Sequence, residues 1–411
     1  MKIAAETYFP NPPAPEEEQP PVVVRRYDEA TDKAAVEELE RRCEVGQPGK
    51  PSLVTDLMGD PIARVRNFVS HIMLVRRESL LCCRVRRCKR IVGVIRGCIK
   101  TVTSGKRSSS TQLPVYVKFA YILGLRVSAT HRRLGIATKL VQELEGWCRQ
   151  NGAEYAYMAT ECSNKPSLNL FTQKCNYVKF RNPTVLVQPV HLHSKPLASD
   201  IMIVQVPPQQ VELVYRRVFS SSEFFPKDID RLLSNKLNLG TFVALPKKSV
   251  SKWNPKAGEF PPSFAILSIW DTKEVFRLQV KGVSSLTHAA CLGTRVLDAM
   301  VPWLKIPSVP NVFKNFGFYF MYGLHMEGKD GPRLMKNLCK FVHNTARNDP
   351  DCRVVVAEVG QTDPVREAIP HWKKFSWDED IWCIKKLGRV NQNHYDWHKS
   401  SSVIFVDPRD L

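Results

Sequence analysis

The chain has 411 residues, 43% hydrophobic and 24% charged, a globular composition that excludes a body without a packed core. Sixty basic against forty acidic residues give a net charge of +20, a field that attracts polyanions such as nucleic acid or a phosphorylated cofactor without choosing between them. No run reaches the roughly 18 uncharged apolar residues of a membrane helix, and Met1 to Pro13 lacks a signal-like apolar core, so an intracellular, membrane-free protein is expected.

A single core stops growing near about 250 to 300 residues, so two domains are expected. The 12 cysteines are expected to stay thiols in a reducing compartment. Cys82, Cys83, Cys88 and Cys98 lack paired CxxC spacing, and no metal is expected. Met1 to Pro21 is proline-rich and carries the acidic run Glu16 to Glu18, the composition of a flexible tail. Val22 to Tyr27 predicts a strand, Asp32 to Arg42 a helix, and His71 to Val75 followed by Ile91 to Thr101 further strand. Arg84, Arg86, Arg87, Lys89 and Arg90 read as a solvated hairpin tip, with a nuclear-import or nucleic-acid patch as the competing reading. Ser104 to Gln112 is a polar loop. Val115 to Val127 is an apolar run whose central Gly124 marks a bend where another backbone or a ligand comes close. From Gly135 the period turns helical, with Ile136, Leu140, Leu144 and Trp147 on one stripe and Asn151-Gly152 as the stop. A strand, Tyr155 to Thr160, and a helix, Pro166 to Lys174, follow.

The second half repeats this plan. Ile201 to Val206 is strand-like, Gln209 to Phe219 and Lys227 to Leu237 are helix-like, and Thr241 to Leu245 and Phe264 to Trp270 resume strands. Phe318 to Leu324 then leads through Gly331 into a helix with Leu334, Leu338, Phe341 and Val342 on one face, followed by the strand Arg353 to Glu358. Glu161 and Glu358 follow their helix-opening glycines at nearly equal spacing. The expected division is a tail over 1–21, domains over 22–199 and 200–388, and an extension over 389–411. Mixed sheets flanked by helices, an α/β (α+β) class, are the expected architecture.

The chemistry concentrates in Leu125-Arg126-Val127-Ser128-Ala129-Thr130-His131-Arg132-Arg133-Leu134-Gly135-Ile136-Ala137. A pyrophosphate needs close backbone approach, unpaired N–H groups aimed one way and positive charge. A glycine-opened helix start with two arginines supplies all three, and the small Gly135 and Ala137 leave the first turn uncovered. The helix dipole adds ~0.3 to 1 kcal/mol toward an anion.

Arg132-x-x-Gly135-x-Ala137, preceded by Leu125-x-Val127, resembles the coenzyme A signature of the GCN5-related N-acetyltransferases (GNAT), over roughly Val22 to Leu186. Asn164 to Tyr177 is similar to that family's second motif. Arg42-Cys43-Glu44-Val45-Gly46, Gly97-Cys98-Ile99-Lys100-Thr101-Val102 and Phe405-Val406-Asp407-Pro408-Arg409 resemble the plant Hookless family of probable N-acetyltransferases. The resemblance implies a GNAT fold in the first half and a degenerate GNAT-like domain in the second. It also implies acetyl-CoA as co-substrate, held by Leu125, Arg126, Val127, Arg132, Arg133, Leu134, Gly135, Ile136, Ala137 and Asn164, and direct transfer to an amine of a protein or small molecule.

In that family the strand matching Leu125 to Val127 polarises the acetyl carbonyl through backbone N–H groups, and a carboxylate at the open end of the sheet takes the amine proton. Glu161 is the candidate base. The family's usual tyrosine acid is missing, since Phe171 and Thr172 occupy its two possible alignments, which leaves Tyr121, Tyr157 or solvent for that role. Cys162 would offer a covalent route, which the family habit disfavours. The second-half loop Gly328-Lys329-Asp330-Gly331-Pro332-Arg333 lacks the leading arginine and sets Asp330 against a phosphate. The resemblance further suggests plant growth regulation linked to ethylene and auxin, with the nucleus favoured over the cytoplasm. A catalytically silent acetyl-CoA-binding regulator and a chromatin or nucleic-acid adaptor are the alternative functions. The net charge disfavours a very basic acceptor unless a local acidic groove overrides it.

Overall fold

A computed structural model of the chain describes residues 22–43, 52–57, 77–85, 91–108, 110–254, 261–376, 380–388 and 403–411. The tail over 1–21, the strand expected at His71 to Val75, the basic residues Arg86 to Arg90 and residues 389–402 of the extension lie outside the described residues.

The first half opens with strand β1 (Val22–Arg26) and helix α1 (Glu29–Arg42), whose first turn is capped by the Asp28 carboxylate accepting from Ala30 N–H. Strands β2 (Ser52–Leu57), β3 (Arg77–Val85), β4 (Ile91–Arg107) and β5 (Pro114–Val127) follow. The polar loop expected from Ser104 is therefore shorter at its start. Ser104 is buried because Glu223 of a later strand pairs with it, which extends β4 past the polar residues.

Helix α2 (Ile136–Gln150) buries Ile136, Leu140, Val141, Leu144 and Cys148, a stripe at the helical period, against β4 and β5. Its end is set at Asn151, whose side chain donates to the Trp147 carbonyl at 2.8 Å. Strand β6 (Tyr155–Glu161), the short helix α3 (Lys165–Asn169) with its continuing turn to Lys174, β7 (Val178–Arg181) and β8 (Thr184–Pro189) complete this half.

The second half runs through β9 (Ile201–Val206), α4 (Pro208–Val218), β10 (Glu223–Pro226), α5 (Ile229–Leu233), β11 (Asn238–Pro246), β12 (Phe264–Asp271) and β13 (Phe276–Lys281). The helix expected over Lys227 to Leu237 contracts to α5, because Asn238 donates to the Leu233 carbonyl at 2.7 Å and Asn235 accepts from Leu237 N–H at 2.9 Å. These side chains compete with the helical ladder and turn the chain into β11. Helix α6 (Ser285–Met300), β14 (Gly317–Glu327), α7 (Gly331–Arg347), β15 (Cys352–Val359) and β16 (Asp380–Lys386) follow.

The first sheet runs β1-β3-β4-β5-β6-β16-β7 with β10 attached to β4, and the second runs β8-β15-β14-β12-β11-β9. Each contains the same unit of strand, helix and parallel strand, β5-α2-β6 and β14-α7-β15. The halves exchange strands: β8 pairs with β15 in the second sheet, while β16 inserts between β6 and β7 in the first. A core cluster joins them, with Phe119, Tyr157 and Trp382 of the first sheet packed with Phe224, Phe318 and Val356. Buried Arg181 of β7 and Glu223 of β10 form an ion pair at 2.6 Å within the first sheet that links the two halves of the chain.

Candidate active site

β5 and β6 pair in parallel at Phe119–Tyr155, Ala120–Ala156 and Tyr121–Tyr157, where the ladder ends. β5 runs on to Val127 and β6 to Glu161, so the strands part beyond these tyrosines and leave a wedge between them. The cause is local. Gly124 sits at φ +61, and a Cβ there would lie 2.7 Å from Nη1 of Arg96. Arg96, itself buried, pairs with Glu40 of α1 beneath this bend. Only glycine allows both the backbone conformation and the close approach.

Among the described residues the backbone of β5 past Tyr121 thus has no ladder partner on its β6 side. Leu125 and Val127 are half-buried against the α2 core, and Arg126 is exposed. The chain then turns through Ala129–His131 into α2. Arg132, Arg133, Leu134 and Gly135 are all exposed, Ile136 is buried and Ala137 half-buried. Arg133 at φ 65 and Gly135 at φ 73 curl the backbone, and no side chain caps the helix. The first N–H groups of α2 therefore point into the turn without intrahelical partners. A Cβ on Gly135 would meet no atom of the described residues within 4 Å, so among them the space over the helix start is open. Nε of Arg132 reaches back to the Val127 carbonyl at 3.5 Å, keeping its guanidinium beside the wedge. Uncapped N–H groups, open space and two arginines fit a pyrophosphate.

Glu161 ends β6, is exposed, and accepts from Ser163 at 3.0 Å. Asp380 of β16 stands directly opposite it in the antiparallel register. Asn164 caps α3, its carbonyl oxygen accepting from Ser167 N–H at 3.2 Å. Phe171 is buried edge-on against Tyr177, and Thr172 donates to the Leu168 carbonyl at 2.7 Å. Cys162 packs on the α2-side core.

The face of the first sheet turned to the second half carries groups that sequence reading did not assemble. Tyr121 and Tyr157 stack at 4.7 Å between ring centres. Lys100 of β4, only 3% exposed, lies 5.3 Å from the Tyr157 ring centre and pairs with Asp410 in the chain's last turn. The Tyr157 hydroxyl donates to the same carboxylate at 2.9 Å. Burial raises both phenols, with the Asp410 charge adding to it, so neither tyrosine is tuned to give up a proton. Glu358 of β15 also faces this seam. Burial, then the charges of Asp380 and Asp410, push its carboxyl up to about 8. The near-equal spacing of Glu161 and Glu358 was the one available signal for it.

The matching turn of the second half is closed. A Cβ on Gly328 would lie 2.1 Å from the Pro262 carbonyl oxygen, and one on Gly331 3.3 Å from Met326. Arg333 is held by Asp200 at 2.7 Å, and Asp330 N–H donates to Ser263 at 3.4 Å. The side chains of Cys82, Cys83 and Cys88 lie outside the described ones. Among the described residues no three His, Cys, Asp or Glu side chains are grouped to hold a metal ion.

The description "Acetyltransferase (GNAT) family" matches residues 50–177. The chain is 49% identical to the probable N-acetyltransferase HLS1 of Arabidopsis thaliana, over 95% of this chain and 100% of that one. It is 40% identical to acetyl transferase GW6a of Oryza sativa subsp. japonica, over 95% of this chain and 97% of that one. In fold it is similar to Saccharomyces cerevisiae N-myristoyltransferase with bound myristoyl-CoA, at TM-score 0.52 and 12% identity, over 97% of this chain and 93% of that one. With its parted strands, its open glycine turn and relatives matched along their whole length, the chain belongs to the GNAT acetyltransferase family and is an enzyme of the acyltransferase class.

Proposed function

We propose that the protein transfers acetyl from acetyl-CoA to an amine by direct attack within one ternary complex. The observation that carries this is the end of the β5–β6 ladder at Tyr121 and Tyr157, beside the uncapped start of α2. Arg132, Arg133 and the N–H groups from Leu134 to Ala137 take the pyrophosphate, and the side chain of Asn164 flanks the cofactor. The free backbone of Leu125, Arg126 and Val127 orients the pantetheine arm and polarises the acetyl carbonyl.

Glu161 at the rim takes the amine proton directly or through water. Solvent returns a proton to the leaving thiolate, since both nearby phenols are raised by burial. The domain over 22–199 carries this chemistry. That over 200–388 binds no cofactor and covers the acceptor side. Calorimetry with acetyl-CoA, followed by mass spectrometry of products after incubation with cell extract, tests the reading. An absence of heat on titration sinks it.

A second reading, a cofactor-binding regulator of low turnover, is favoured by buried Phe171 and by Thr172 bonded to its own helix. It predicts normal acetyl-CoA affinity with negligible acetyl transfer.

A further inference from the structure

Among the described residues the Glu358 side chain has no hydrogen bond or ion pair, and it is half-buried at the seam between the two sheets. The carboxyl is not sealed from solvent, and the protein around it disfavours its charged form. Its direction follows from strand alternation. Val354 and Val356 of β15 pack in the cluster shared with Tyr157 and Trp382, whereas Val355, Ala357 and Val359 pack against α7. Glu358 therefore shares the face of Val354 and Val356, toward the first sheet. Its charge is felt by the Tyr121 phenol, at the point where β5 and β6 part.

The groups facing Glu358 are Asp380 of β16, Asp410 of the last turn and Tyr121 of β5, with Lys100 and Tyr157 reaching it through Asp410. Asp410 is already matched by Lys100 and Tyr157. Asp380 stands opposite Glu161 at the rim. Among the described residues Glu358 has no counter-charge, and it lies in an acidic recess of a chain whose net charge is +20.

Resting on the acetyl-transfer reading above, we infer that Glu358, supplied by the second half, receives the ammonium form of a cationic primary amine beside Tyr121 and accepts its proton. Glu161 at the rim takes the second nitrogen proton, directly or through water. The balance is complete. One ammonium proton moves to Glu358, and the freed nitrogen lone pair bonds to the acetyl carbon. The carbon–sulfur bond breaks with its electrons on sulfur, the second nitrogen proton is lost, and the thiolate takes up one proton, leaving one net proton for solvent.

The test compares wild type and Glu358→Gln in the full chain, with lysine-containing peptides and alkylamines as probes and acetylation read by mass. Acetyl-CoA affinity should stay within about twofold, and kcat/KM for the cationic probes should fall roughly a hundredfold, the usual worth of a general base. The wild-type acid limb near pH 8 should move in the variant up toward the pKa of the free amine. Wild-type acetyl-CoA affinity together with wild-type melting at pH 5 excludes damage to the fold. Independently of turnover, the variant should melt with wild type at pH 5 and increasingly above it as pH rises to about 8. A variant within threefold of wild type with an unchanged acid limb, or a melting difference flat with pH, overturns the role of Glu358 and leaves acetyl transfer standing. A wild type that binds acetyl-CoA but acetylates no probe overturns both.

Discussion

Tyr157 and Asp410, 253 positions apart, meet in a hydrogen bond of 2.9 Å that ties the centre of the first sheet to the chain's last turn. Asp410 also neutralises Lys100, whose side chain is almost wholly buried. Asp410→Ala leaves that ammonium without a partner in a desolvated place, a loss on the order of 3 to 5 kcal/mol. Urea unfolding should show the midpoint falling with little change in slope. Unchanged stability would mean that the last turn is not docked as described.

The turn before α2 makes a separable prediction. Arg132→Ala should weaken acetyl-CoA binding by ~1.5 to 3 kcal/mol, the range for a charge-assisted hydrogen bond, or roughly tenfold to a hundredfold. Gly135→Val should do worse. Its Cβ meets no atom of the described residues, but the added side chain fills the open space at the helix start and strains a backbone at φ 73. Calorimetry giving wild-type affinity for both variants would remove this turn from the cofactor site.

One cofactor per chain is expected. In the second half, Pro262 and Met326 crowd the glycines of the turn and Asp200 occupies Arg333. A titration that saturates at two acetyl-CoA per chain would contradict this.

Glu161→Gln preserves shape while removing a base, so acetyl-CoA affinity should hold and turnover should drop roughly a hundredfold. Partial recovery at high pH should follow, because more of the acceptor amine is then neutral. Wild-type turnover in this variant, with a verified acceptor, would transfer the role elsewhere.

A buried histidine cluster should make stability fall in acid. His343 accepts from His191 N–H at 2.9 Å, and burial lowers His191 to about 4 and His343 to about 3. Both are neutral in the fold and titrate near 6.5 when unfolded. The unfolded chain then binds more protons below that pH, so stability is full above about 6.5 and is lost as pH falls toward 4. His343→Gln should flatten the slope of unfolding free energy between pH 6.5 and 4. An unaltered slope would show that the cluster does not carry the acid sensitivity.

Much of the first half was legible in the residues because its signals are local. The stripe Ile136, Leu140, Leu144 specifies a buried helix face, Asn151 its end, and Gly124 a bend, each through contacts within a few positions. The open turn at Arg132 to Ala137 was likewise readable, since an uncapped helix start needs only its own backbone and a glycine. The repeat in the second half also showed in spacing alone.

Partner choice was not legible. Asp380 to Lys386 has the composition of a strand, but nothing within it says that it pairs with Tyr155 to Glu161 rather than with its own half. A ladder is satisfied by any edge of suitable register, and the exchange of Thr184–Pro189 against Asp380–Lys386 was decided by where both sheets bury their apolar faces in a common core. That exchange brings Asp380 opposite Glu161 and turns Glu358 and Asp410 toward Tyr121 and Tyr157. The helix start that suits a pyrophosphate is a property of thirteen adjacent residues, whereas the acidic recess beside it exists only because strands distant in the chain are desolvated together.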